Sequence, residues 1–174
     1  MSSKTTVREP QGKDFPTAPE GLHQAVCVDV WDIWTEKRPE QYGGGLVDKT
    51  RVVWQLDSAT EDGQRYEVMQ TYTASLHEKA KLRQHLEAWR GKRFTEDELK
   101  GFELEHVIGA NCQVQVVRNL GKNGKTYANV QAVVPLGKGQ VKIRPSEDYV
   151  RRKDRRKDED GSQPFDASDD DVPF

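Results

Sequence analysis

Two sets of side chains in this chain have the types and positions to do chemistry. The first mixes the aromatics Trp31, Trp34, Tyr42, Tyr66, Tyr72 and Tyr127 with the bases Lys37, Arg38, Lys49, Arg51, Arg65, Arg118, Lys122 and Lys125. Flat aromatic rings stack on exposed nucleobases at about 1–3 kcal/mol per base, and the bases supply the cationic groove that phosphates need. The bland alternative is that the rings are core and the charges solvated. Trp54 and Trp89, on apolar faces, are read as core; for Trp34 and Tyr42, flanking a Lys/Arg-bearing loop, both readings stay open.

The second set is the ending Asp169-Asp170-Asp171-Val172-Pro173-Phe174. Three adjacent acids repel one another and serve a fold poorly. A partner pocket with an apolar floor and a basic rim would take the Phe ring and pair the carboxylates.

Catalytic and metal chemistry find no such support. Cys27 and Cys112 sit alone in apolar-alternating runs and read as reduced core thiols. His23, His77, His85 and His106 have no zinc-ligand spacing. Asp29 with Asp32 lacks a second ligand set, and no nucleophile–base arrangement is identifiable. The expectation is a binding protein, not an enzyme, with no metal and no cofactor.

The 174 residues suit one domain plus tails, and with 34% hydrophobic and 32% charged residues part of the length is expected to stay unfolded. The net charge of -2 hides a division: residues 1–157 carry 27 basic and 22 acidic side chains, a net +5, whereas the 7 acids from Asp158 onward meet no Lys or Arg. A basic body with an acidic tail fits one part meeting a polyanion and another meeting proteins. No apolar run approaches the roughly 20 residues of a membrane span, and no signal peptide opens the chain, so a cytoplasmic protein is expected.

The elements that must position these residues follow from periodicity. Residues 1–20, with Pro10, Pro16 and Pro19, read as a flexible arm. Strand one runs from Leu22 to Trp34, with Val26, Val28 and Val30 on one face and Cys27, Asp29 and Trp31 on the other. Residues 35–49, containing Gly43-Gly44-Gly45, form a loop. Strand two spans Thr50 to Asp57, Glu61-Asp62-Gly63 turns the chain, and strand three runs from Arg65 to Thr73. Ser75 with Glu78 and Thr95 with Glu98 are capping boxes, the first opening a helix that Gly91 closes. Strand four covers Asn111 to Arg118, and strand five Tyr127 to Val134.

Three strands, a helical insert and two strands give an all-β class with the element order of a five-stranded OB-fold Greek-key barrel, its helix between strands three and four. That domain is placed at 21–144. Residues 145–174 read as a disordered tail, basic over Arg151–Lys157 and then acidic. The basic run could grip nucleic acid, neutralise the tail, or be solvated linker.

The last six residues resemble the acidic tip of bacterial single-stranded-DNA-binding proteins, Asp-Asp-Asp-Ile-Pro-Phe, with Val172 where that family has Ile. The stretches Ser75 to Arg83, Trp89 to Thr95 and Gly124 to Val130 are similar to small OB-fold single-stranded-DNA-binding proteins of bacteriophage replication modules. The resemblance covers about residues 20–136 and the tip. It implies sequence-independent coating of single-stranded DNA during phage DNA replication or recombination in the bacterial cytoplasm, with replication and recombination proteins recruited through the tip. The Gly/Gln-rich linker of the cellular proteins is missing, so their assembly is not carried over and a homo-oligomer is left open. Two alternatives stand beside this: an interaction factor that mimics the host tip to occupy host replication partners, and an RNA-binding OB module.

Overall fold

The structure, a computed structural model, describes residues 17–155. The expectations for residues 1–16, for the end of the basic run and for the tip lie outside the described residues.

Among the described residues six antiparallel strands form one open sheet: β1 (Gly21–Val30), β2 (Trp34–Lys37), β3 (Leu46–Ala59), β4 (Arg65–Thr73), β5 (Asn111–Leu120) and β6 (Thr126–Val134). Two helices, α1 (Lys81–Arg90) and α2 (Glu96–Leu99), interrupt the strand pattern between β4 and β5. The chain is mostly β, as its alternation implied. β1 lies between β3 and β5, β6 pairs with β5, and β4 takes the other edge of β3. β6 also lies beside β4: the Val130 amide donates to Gln70 Oε1 at 3.1 Å.

The expected first strand is broken. β1 ends at Val30, and β2 resumes at Trp34 along the same edge of β3, with Trp34 opposite Lys49 and Lys37 opposite Leu46. Thus much of the expected 35–49 loop is a hairpin, closed by a 3-10 turn at Glu40–Tyr42 and by Gly43, Gly44 and Gly45, all at positive φ.

β1 also departs from simple alternation. Its register against β3 shifts between Cys27 and Asp29, the mark of a bulge. Val28 and Asp29 consequently turn to the same side, and Val30 joins Cys27 in the main core. The alternation that grouped Val30 with Val26 and Val28 is corrected by that one extra residue.

The main core lies between the inner sheet face and α1. Cys27, Trp54, Leu56, Val68, Cys112, Val114 and Val130 meet Leu82, Leu86 and Trp89. Trp54 and Trp89 touch with ring centroids 5.8 Å apart, and the Trp89 indole N–H donates to Asn111 O at 3.0 Å. Both cysteines are buried outside any disulfide, and burial pushes both thiols up. Among the described residues no helix is long and apolar enough to cross a membrane.

Of the two expected capping boxes, one forms. Thr95 and Glu98 exchange both hydrogen bonds at the start of α2. Ser75 and Glu78 do not, because α1 begins later, at Lys81, behind an extended Ala80 with no side-chain cap. Ser75 Oγ instead accepts from His77 N, and His77 Nδ1 accepts from Lys79 N, local bonds that hold 75–79 in turns.

Two polar side chains in the core are tied together. Tyr72 Oη and His85 Nδ1 are 2.7 Å apart. Burial, aided by the Lys81 charge, lowers His85 from 6.5 to about 4, so the ring is neutral at pH 7. The unfolded chain takes up a proton near pH 6.5 and the folded one only near 4. Stability contributed by neutral His85 is therefore complete above pH 6.5 and lost as pH falls toward 4. Urea midpoints at pH 7 and pH 4 should show the wild type losing on the order of 3 kcal/mol more than His85→Gln; equal losses would remove His85 as the cause.

Candidate nucleic-acid interface

Alternation along β3 sends Lys49, Arg51, Val53 and Gln55 to the outer sheet face; the paired positions Thr73, Thr71, Met69 and Glu67 of β4 share it. Arg51 is held there on both sides. Its Nε donates to Thr71 Oγ1 at 2.8 Å, and one terminal nitrogen sits 3.6 Å from Met69 Sδ.

The break between β1 and β2 then brings two indoles to this guanidinium. The Trp31 amide donates to Arg51 O at 2.8 Å, and Thr50 Oγ1 donates to Trp31 O at 2.8 Å, so the bend is pinned to β3. Trp31 and Trp34 are tilted, with centroids 5.9 Å apart. The Arg51 guanidinium lies 4.3 Å from the Trp31 centroid and 5.8 Å from that of Trp34. A second guanidinium, Arg152, lies 4.0 Å from Trp31. Burial first and the nearby Arg152 second lower Arg51 to about 10, with Glu36 opposing. Glu36 also accepts from the Trp34 indole N–H at 2.9 Å. Two cations gathered on one indole form a setting that favours an anion.

The cationic surface continues from Thr71. An open groove of about 480 Å³ is lined by Lys49, Thr71, Thr73, His77, Lys79 and Lys81, among others. His77, Lys79 and Lys81 were not among the expected site residues. Residues 75–81 read as helix, and a helix would have turned Lys79 to the face opposite His77 and Lys81.

The other expected residues divide. Lys37, Arg38 and Tyr42 are exposed on the β2–β3 hairpin, and Lys122, Lys125 and Tyr127 on the β5–β6 hairpin. The Tyr127 hydroxyl accepts from Asn123 at 2.7 Å, and its ring approaches Gly121 so closely that a Cβ there would lie 2.6 Å from it. Tyr72 is a correction: at 3% exposure it belongs to the core, since it shares an inward face with Val68. Tyr66 packs inward on the same cluster. Arg65 and Arg118 act structurally. Arg65 donates to the carbonyls of Leu56 and Arg144, and Arg118 to those of Thr17 and Ala18, tying residues assigned to the arm onto β5.

The largest departure concerns residues 145–155, expected to belong to a disordered tail, together with the end of the expected domain from Val141. They cross the outer face as a strap. Asn111 donates to Ile143 O and accepts from Ile143 N, both at 2.9 Å. Gln55, 2% exposed, makes the same two-way contact with Ser146 at 2.8 Å. Ile143 and Tyr149 pack on Val26, Val28 and Val53. Asp29, 1% exposed, accepts from Tyr149 Oη (2.8 Å), Arg151 Nε (3.0 Å) and Arg152 N (2.8 Å). Arg151 also chelates both Glu105 oxygens at 2.8 and 2.9 Å.

A signal for the strap was present: Ala25 to Val28 is apolar without a gap, the pattern of a strand covered on both faces. Asp29, weighed as a metal ligand, is instead an anchor for cations. Among the described residues no cluster of three or more His, Cys, Asp or Glu side chains is placed to hold a metal.

No protein-family model matches the chain, and no curated protein matches it in sequence. Asn111→Ala should strand the part-buried backbone polar groups of Ile143. The expected cost is about 1–3 kcal/mol in urea unfolding, with faster tryptic cleavage within residues 142–155; unchanged cleavage would show that the strap does not depend on this contact.

Proposed function

We propose that this chain is an OB-fold protein that binds single-stranded nucleic acid, DNA by preference, without sequence readout and without a catalytic step. The strand order β4-β3-β1-β5-β6, with β6 returning beside β4 and the helices between β4 and β5, supports a Greek-key barrel in which β1 and β2 form one bent strand. The observation that carries the reading is the Trp31–Trp34 pair, held with Arg51 and Arg152 at one end of the Lys49–Lys79–Lys81 groove. Stacking rings beside a cationic path suit unpaired bases joined by phosphates. The similarity to phage single-stranded-DNA-binding proteins adds the setting: coating of strands exposed in replication or recombination within a bacterial host. On the same resemblance, Asp169–Phe174 recruits replication proteins.

Tryptophan fluorescence in titrations with oligo-dT, oligo-rU and duplex tests the reading. Oligo-dT should quench the emission, and added salt should reverse the quench because bound strands release counterions. Trp31→Ala and Arg51→Ala should each weaken oligo-dT binding by about tenfold, the scale of one lost stacking contact. Tyr72→Phe should leave it unchanged. Silence with all three nucleic acids would discard the proposal, and tighter binding of oligo-rU than of oligo-dT would move it to RNA. Deleting residues 169–174 should leave or tighten oligo-dT binding while abolishing partner capture; weaker DNA binding would count against the assigned division of labour.

A further inference from the structure

Residues 149–155 lie in a stretch whose composition reads as a leash between a domain and an acidic tip. Their contacts say otherwise. Asp29 receives three donors from the four residues Tyr149–Arg152, and one of them is the backbone amide of Arg152 itself. That amide bond fixes where the Arg152 side chain starts, and its guanidinium ends 4.0 Å from the Trp31 ring centroid. Arg151 closes the arrangement by binding Asp29, Glu105 and Val30 O together. The bulge in β1 is the local cause, since it turns Asp29 toward the strap while Val30 goes inward.

We infer that Asp29 and Tyr149 are positioning residues of the nucleic-acid interface, acting through Arg152, and that the strap is a working part of the binding surface. The inference rests on the proposed function and adds residues to it. Arg152 would meet a phosphate beside the base stacked at Trp31. Asp29 and Tyr149 would touch no nucleic acid, acting only by keeping Arg152 on the ring.

Charge gives a test with opposite signs. Asp29→Asn removes a negative charge near a site for a polyanion, so simple electrostatics calls for tighter binding. Positioning calls for weaker binding, because an amide holds Tyr149, Arg151 and Arg152 less well. Tyr149→Phe is neutral and removes only the hydroxyl, so any change it makes in salt dependence must come through another group. The probe is oligo-dT, titrated at several salt concentrations against the full chain, with thermal unfolding followed in parallel.

Arg152→Ala should weaken binding by about threefold to tenfold and lower the slope of log affinity against log salt by about 0.7, the loss of one phosphate contact on a single strand. Asp29→Asn and Tyr149→Phe should each shift affinity and slope toward the Arg152→Ala values. In the Arg152→Ala background neither should shift them further. If Asp29→Asn tightens binding, or if both variants lower only the melting temperature while affinity and slope stay at wild type, the inference is overturned. Wild-type binding with Arg152→Ala unchanged would sink the inference and leave the proposed function standing; no salt-reversible binding by the wild type would sink both.

Discussion

A carboxylate removed from water must be surrounded by donors, and Asp29 imposes that condition on the outer half of this protein. At 1% exposure its effective desolvation cost is several kcal/mol, so an unpartnered Asp29 would not persist in the fold. The donors come from residues 149–152, far along the chain, and they bring with them the Glu105 chelate from the connector after α2. Three distant pieces of sequence thus share one electrostatic unit. The bulge that aims Asp29 outward and the strap that meets it are each unfavourable without the other.

That coupling divides the outer sheet face. Val26, Val28 and Val53 are covered by Ile143 and Tyr149, so the middle of the face is closed to ligands. The half-buried Asn111 amide pairs with both backbone groups of Ile143, and the buried Gln55 amide with the backbone amide and hydroxyl of Ser146, which holds the cover in register. Beneath it Glu67 is pushed upward by burial, even with Gln55 donating to it. Outside the strap's cover lie the corner where β2 begins, with Trp31, Trp34 and Arg51, and the groove running past Thr71 toward α1. The covered zone thereby limits where a strand could lie.

Much of the inner architecture was legible because it depends on local pattern. The Val-rich alternation of β5, the Gly63 turn and the Thr95–Glu98 box each report on a few adjacent residues, and each appears as read. Trp54 and Trp89 on apolar faces became core. The failures share a different cause. Tyr72 was chosen for residue type although it alternates in phase with Val68, and phase decided its burial, while Tyr66 in the same phase is half-buried against the core. The Ser75 box matched its pattern, yet turns closed by Ser75 and His77 took its place. The Asp29–Arg151 pair joins positions 122 residues apart, with charges that composition assigns to solvent. No periodicity carries that contact; only the gapless apolar run Ala25 to Val28 hinted that a cover was needed.

The surface beyond the strap has two mechanical parts, and the proposed function uses them differently. Arg51 is part-buried and held by Thr71, Met69 and two indoles, so little side-chain entropy remains for a ligand to remove. A preset ring-and-guanidinium platform of this kind suits stacking, where a misplaced ring loses most of its contact. Lys79 and Lys81 in the groove are exposed, on long stems with compact charges. They can follow a phosphate chain without dictating its geometry, which suits a strand of arbitrary sequence. Arg152 stands between the two parts: its backbone is fixed by Asp29 and its side chain is exposed. Its reach toward phosphate therefore depends on a carboxylate that no strand would touch.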